Sequence, residues 1–215
     1  MEIPFTAGQF LRIFQNYNSS VWPMQIVLLL GAIGIIYVIL KNIKYSSKIA
    51  AAILALLWFW MGIVYHLLHF TSINKAAYLF GSAFVIQAFL FLYSGLIRSN
   101  VSFRYQRNIY GMIGSLFVVY ALLIYPMLAH IFGHNYPQMP TFGVPCPTVI
   151  FTFGILLWVD KKIPKYLLIV PFLWSMVGFS AAVNLQIKED LGLFVAGLLS
   201  LLLLIMRERK LKYNQ

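Results

Sequence analysis

With 215 residues, 61% of them hydrophobic and only 10% charged, the chain carries too little charge to clothe a soluble domain, whose residues are roughly a quarter charged. A net charge of +11 raises nucleic acid as a partner. The basic residues, however, stand in short clusters between long apolar runs, as membrane-flanking charge does. Composition therefore argues against nucleic acid and for the lipid bilayer as the surroundings of most side chains.

The first residues do not read as a signal peptide: the start is not basic, it contains Glu2, and no apolar core begins before Val21. Phe10, Phe14 and Tyr17 recur at helical spacing with Gln9, Arg12 and Asn16 between them. That pattern predicts a short helix lying at the membrane surface within residues 1–20. Spans are then predicted near 21–40, 49–70, 78–97, 109–132, 147–159, 166–186 and 191–206. Most approach the ~20 residues that a crossing requires. The fifth and seventh are short for a hydrocarbon core of ~30 Å at 1.5 Å per residue. The expected fold is an all-α integral membrane protein, a single domain over 1–215 built as a bundle of about seven transmembrane helices with a broken fifth span.

Orientation follows from the loops. Lys41, Lys44 and Lys48 share one side with Arg98, Arg104 and Arg107, with Lys161, Lys162 and Lys165, and with the tail of Arg207, Arg209, Lys210 and Lys212. The other side holds only Arg12, Lys75 and Lys188. The rich side is expected to be cytoplasmic. The N-terminus is then outside and the C-terminus inside, in a cell's inner (plasma) membrane.

All four histidines fall toward the outer side. His66 and His69 stand near the end of the second span, and His130 and His134 at the end of the fourth. Spacings of three and four place each pair on one helix face where the helix continues. Two such pairs meeting would suit a transition metal (zinc, copper or iron) or axial ligation of a haem. The alternative is four interfacial histidines bonded to backbone or water.

The connection after the fourth span, from Gly133 to Thr148, has no Lys, Arg, Asp or Glu, and none occurs from Asn108 through Val159. Pro137, Pro140, Pro145 and Pro147 forbid a regular helix through it. It is expected to fold back and pack on protein, because irregular backbone at membrane depth needs protein or a wet cavity around it. Broken spans often mark binding sites. Here Thr148 would stand near a helix start able to hold an anion; a rigid plug is the alternative. The single cysteine, Cys146, is either an apolar filler or a soft-metal ligand. Glu189 and Asp190, before the last span, read first as helix-start acids. They read second as metal ligand, general base or proton relay. Tyr65, Asn74, Tyr136 and Asn184 complete the outer polar set. Trp58, Trp60, Trp158 and Trp174 form no recognisable ligand box. No phosphate loop, HExxH, GxSxG or CxxC is present, so no motif decides whether the chain is an enzyme.

Several runs carry a resemblance: Gly62-Ile63-Val64-Tyr65-His66, Ile73-Asn74, Gly133-His134-Asn135-Tyr136-Pro137, Pro140 through Thr148, and Glu189-Asp190-Leu191-Gly192. Over roughly Phe10 to Gly197 the chain resembles an uncharacterised family of bacterial multi-pass inner-membrane proteins. The resemblance implies location and fold and no activity. A looser likeness of class is to seven-span zinc hydrolases of the ceramidase and adiponectin-receptor type, whose motif residues do not line up here. The expected functions are therefore an extracytoplasmic metal or haem pocket built on His66, His69, His130 and His134, a small-solute or ion transporter using the broken span, or a membrane scaffold or receptor.

Overall fold

A computed structural model describes residues 4–213, with side chains through residue 209. Residues 1–3 of the expected surface segment, and the side chains of Lys210 and Lys212 in the basic tail, lie outside the described residues. The described chain is helical. Its only β pairing consists of isolated bridges, Phe103 with Val159 and Phe142 with Val144.

Helix α1, Ala7–Val21, opens with a capping box. The Thr6 amide donates to Gln9 Oε1 at 2.8 Å, and the Gln9 amide donates back to Thr6 Oγ1 at 3.3 Å. This satisfies two of the amides that a helix start leaves open. Phe10, Ile13, Phe14 and Tyr17 form its buried stripe. Helix α2, Met24–Leu40, leaves α1 at 88° across Trp22 and Pro23. Proline cannot donate to the preceding turn, so the ladder stops there.

Helices α3 (Ser46–Ser72), α4 (Ala77–Ile97), α5 (Ile109–Ile131) and α7 (Tyr166–Leu185) are long and apolar enough to cross a membrane. So is the segment Lys188–Arg209, a tight 3₁₀ turn running into α8 (Leu191–Tyr213). These are five candidate spans, or six if the bent α1–α2 pair counts as one. Helices α4 and α7 coincide to within a residue with the apolar segments 78–97 and 166–186. Large apolar side chains such as Leu79, Phe89, Met112, Met127, Leu173 and Val195 point outward over much of their length. A water-exposed protein does not tolerate such a continuous apolar surface, whereas a lipid-facing one needs it.

Helix α6, Pro145–Leu157, is the predicted fifth span and differs from the rest. Every one of its residues is buried. At ~20 Å it is too short to cross alone. A helix apolar on all sides belongs in the centre of a bundle, and α6 is wrapped by α5, α7 and α8, with Trp58 of α3 reaching Thr152 at 3.1 Å. Its crossing with α5 is close. A Cβ at Gly154 would stand 2.7 Å from the Gly114 carbonyl oxygen, so only glycine fits the contact.

The two ends of the bundle are chemically distinct. At one end the basic connections meet. The Phe103 amide donates to Ser47 Oγ at 2.9 Å, the Arg104 amide to the Trp158 carbonyl at 2.7 Å, and the Asp160 amide to the Ser102 carbonyl at 3.1 Å. Arg207 donates to the Val159 carbonyl beside them. At the other end the uncharged connection packs on protein, and the partner is α1, which the sequence did not indicate. Asn18 Nδ2 donates to the carbonyls of Pro137 at 2.7 Å and Met139 at 2.8 Å, and Thr141 donates to Asn18 Oδ1 at 2.7 Å.

Candidate functional site

Three helices widen locally into π-helical turns, at Met61–His69, Tyr93–Ile97 and Tyr120–Ile124. Such turns re-aim side chains and recur at functional sites. The first carries Tyr65 and His66. The third begins at Tyr120 and delivers Tyr125 directly after it.

The π turns alter the histidine geometry expected from spacing. His66 turns fully inward among the rings of Tyr65, Phe70, Phe80, Phe84 and Trp174, and neither ring nitrogen has a hydrogen-bond partner. His69 instead folds back on its own helix, with Nδ1 2.7 Å from the Val64 carbonyl and Nε2 2.9 Å from Ser20 Oγ. A carbonyl only accepts, so Nδ1 carries a proton. His130 and His134 do not share a helix face either. Gly133, at φ +90°, ends α5. The His134 amide then donates to the Ala129 carbonyl at 2.8 Å, and that of Gly133 to the His130 carbonyl at 3.0 Å, a Schellman ending. His130 Nδ1 pairs with Asn135 Oδ1 at 2.6 Å, while His134 turns to Glu189. Among the described residues, no group of three or more His, Cys, Asp or Glu is placed to hold a metal ion. The four-histidine pocket for zinc, copper, iron or haem is therefore unsupported, because each imidazole is held apart by its own surroundings.

What the end opposite the basic connections does contain is a partly open cavity of about 550 Å3. Phe10 and Phe14 of α1, Tyr65 and Phe70 of α3, Phe80 of α4 and Trp174 of α7 give it aromatic walls. Val144, Pro145 and Cys146 bring the start of α6 to it, and Asp190 is the single carboxylic acid that lines it among the described residues. The volume and the mostly apolar lining are those of a small-molecule site.

Asp190 reaches the cavity through a local device. Helix α7 ends with Gln186 in the left-handed region at φ +59°, and the Ile187 amide returns to the Ala182 carbonyl at 3.0 Å. The following 3₁₀ turn, Lys188–Asp190, directs both acids inward. They are not the simple helix-start acids expected. The Tyr125 hydroxyl donates to Asp190 Oδ1. His134 Nδ1 lies 2.6 Å from Glu189 Oε1, and the Tyr120 hydroxyl donates to the Glu189 carbonyl at 2.9 Å. Glu189 Oε2 and Trp174 Nε1 are buried without partners.

The other expected residues divide. Asn74 lines the cavity, and its Oδ1 accepts the Ala76 amide at 3.0 Å. Thr148 is fully buried, and its Oγ1 accepts the Gly143 amide at 3.0 Å. The start of α6 is a poor anion site. Pro145 and Pro147 remove two amides from its first turn, and Asp190 lines the same cavity. Tyr136 is exposed, 3.5 Å from the Asn18 carbonyl. Asn184 bonds only to the Ser180 carbonyl of its own helix, at 2.7 Å. The sequence reading missed Trp174, Phe80 and the role of α1 as a wall. The aromatic stripe of α1 was the one visible signal.

Fold and cavity together define a class: an apolar, all-helical chain with several candidate membrane spans and an aromatic-walled pocket holding one buried acid. The chain belongs to the family of unknown function DUF6064, whose profile matches residues 7–215. No curated protein and no solved structure matches it.

Proposed function

We propose that this chain is a multi-pass protein of the inner (plasma) membrane that binds a small amphipathic molecule on its extracytoplasmic side. The cavity carries the reading, because an apolar, aromatic-walled space ending in one carboxyl group suits a ligand with a greasy body and a polar head. Sidedness rests on the basic clusters, which set the C-terminus in the cytoplasm and the cavity outside. On this reading α1 lies along the membrane surface as one wall, α2 to α5, α7 and α8 cross as helices, and the uncharged connection with the short α6 carries the chain from the outer end back to the basic end, a seventh passage that leaves the C-terminus inside. The cavity serves equally for transport of a small solute and for its reception, which keeps the start of α6 in the functional part without any metal.

The test is extraction. Full-length protein purified in a neutral detergent is denatured, and the released small molecules are identified by mass spectrometry. Ala181 lines the cavity, and Ala181→Phe fills it. Wild-type protein is expected to release a stoichiometric amphiphile that Ala181→Phe lacks. If wild type carries and takes up nothing while Ala181→Phe only raises Tm, the cavity is a packing defect and the reading is wrong. A fluorescent protein fused to the C-terminus is expected to mature and glow in the cytoplasm; a dark fusion would reverse the orientation.

A further inference from the structure

The lining of the cavity also speaks to the charge of its ligand, an inference that rests on the pocket reading above. Among the described residues no Lys, Arg or His lines the cavity, and Asp190 is its one carboxylic acid. The neighbouring acid has its own partner, since Glu189 Oε1 lies 2.6 Å from His134 Nδ1. Asp190 has no basic partner among the described residues. Its hydrogen-bond donor is the neutral phenol of Tyr125, and Cys146 adjoins it. A buried carboxylate is costly unless a positive charge or a full set of donors compensates it.

The walls point the same way. Phe10, Phe14, Tyr65, Phe70, Phe80 and Trp174 surround the space. Aromatic faces carry partial negative charge and attract cations, most strongly away from water. An anionic head would meet repulsion from both the carboxylate and the rings. A neutral head would gain one hydrogen bond. An ammonium head gains the carboxylate and the rings together, while its apolar part replaces water against α1.

We propose that the cavity takes an amphiphilic organic cation, an alkyl- or aryl-substituted ammonium whose charged nitrogen pairs with Asp190. The experiment uses full-length protein in neutral detergent and a series of matched shape: 4-phenylbutyltrimethylammonium, 4-phenylbutanol and 4-phenylbutyrate. Binding is read by intrinsic tryptophan fluorescence and by thermal shift. The ammonium is expected to bind at least tenfold more tightly than the alcohol, and the carboxylate not at all. Asp190→Asn is expected to bring the ammonium down to the level of the alcohol. Should that variant fail to fold, the wild-type ratio of ammonium to alcohol decides alone. Equal affinity for ammonium and alcohol overturns the cation assignment and leaves the pocket standing. Preferential binding of the carboxylate overturns the assignment as well. Absence of binding by all three overturns it too, and the extraction experiment then tells whether the pocket fails with it.

Discussion

The two ends of the bundle each bury a charged side chain, and they treat it differently. At the basic end the guanidinium of Arg207 donates to the carbonyls of Leu157 and Val159, where α6 finishes, and its head lies 5.4 Å from the ring centre of Tyr110. A cation at a helix C-terminus meets carbonyls that have no partner within the helix. At the opposite end Asp190 takes a single hydroxyl from Tyr125 and lines an aromatic cavity. The first charge is spent on closing the fold. The second faces open space, and on the proposed reading the difference separates a structural ion from a binding one within the same fold.

Four substitutions would break or sharpen that contrast, starting with the largest. Gly154→Leu drives a side chain into the Gly114 carbonyl at the α5–α6 crossing. It is expected to cost about 3 kcal/mol and to abolish a monodisperse peak in size-exclusion chromatography; normal elution and Tm would mean the crossing is loose. Arg207→Met removes the charge-assisted bonds at the basic end. It is expected to cost about 2 kcal/mol, seen as a lower Tm with ligand affinity unchanged. A loss of affinity at constant Tm would place the binding charge at the wrong end. Tyr125→Phe leaves Asp190 without its hydroxyl. About 1.5 kcal/mol of stability is expected to go, together with a change in ammonium affinity that Arg207→Met does not produce. Asn184→Ala is the smallest: its amide serves only its own helix, so Tm and binding should both stay put. A clear shift in either would bring Asn184 into the site.

Much of the fold was legible because lipid imposes a coarse rule. Long apolar runs such as Ala77–Ile97 and Tyr166–Leu185 have few alternatives to crossing, and composition alone finds them. The uncharged, proline-rich connection also declared itself, since such a segment has to be sheltered by protein. The site was far less legible. His66 and His69 share a face only on a regular α-helix, and the π turn over Met61–His69 breaks that register. Nothing in the composition of that turn announces it. His130 and His134 fail for a more readable reason: Gly133 between them is a natural helix stop. Glu189 and Asp190 stood out as acids before the last span, yet their partners, His134 just past the end of α5 and Tyr125 within it, depend on tertiary folding. Trp174 and Phe80 look like any aromatic residues in apolar helices, and only packing makes them walls.

The complete burial of α6 bears on how the protein is built. A helix of ~20 Å is too short to span the bilayer by itself, so the place of α6 is completed only when its neighbours exist. Of those neighbours, α3 and α5 precede it on the ribosome, whereas α7 and α8 follow. During synthesis α6 must therefore wait, half covered, for the last fifty or so residues to emerge. The single cysteine at its start is a built-in reporter of that delay. In chains truncated after Lys165 and released, Cys146 is expected to react with a water-soluble maleimide, and the reaction should stop in chains that include α8. Late steps of assembly, rather than the early spans, would then set how much of this protein reaches the membrane intact.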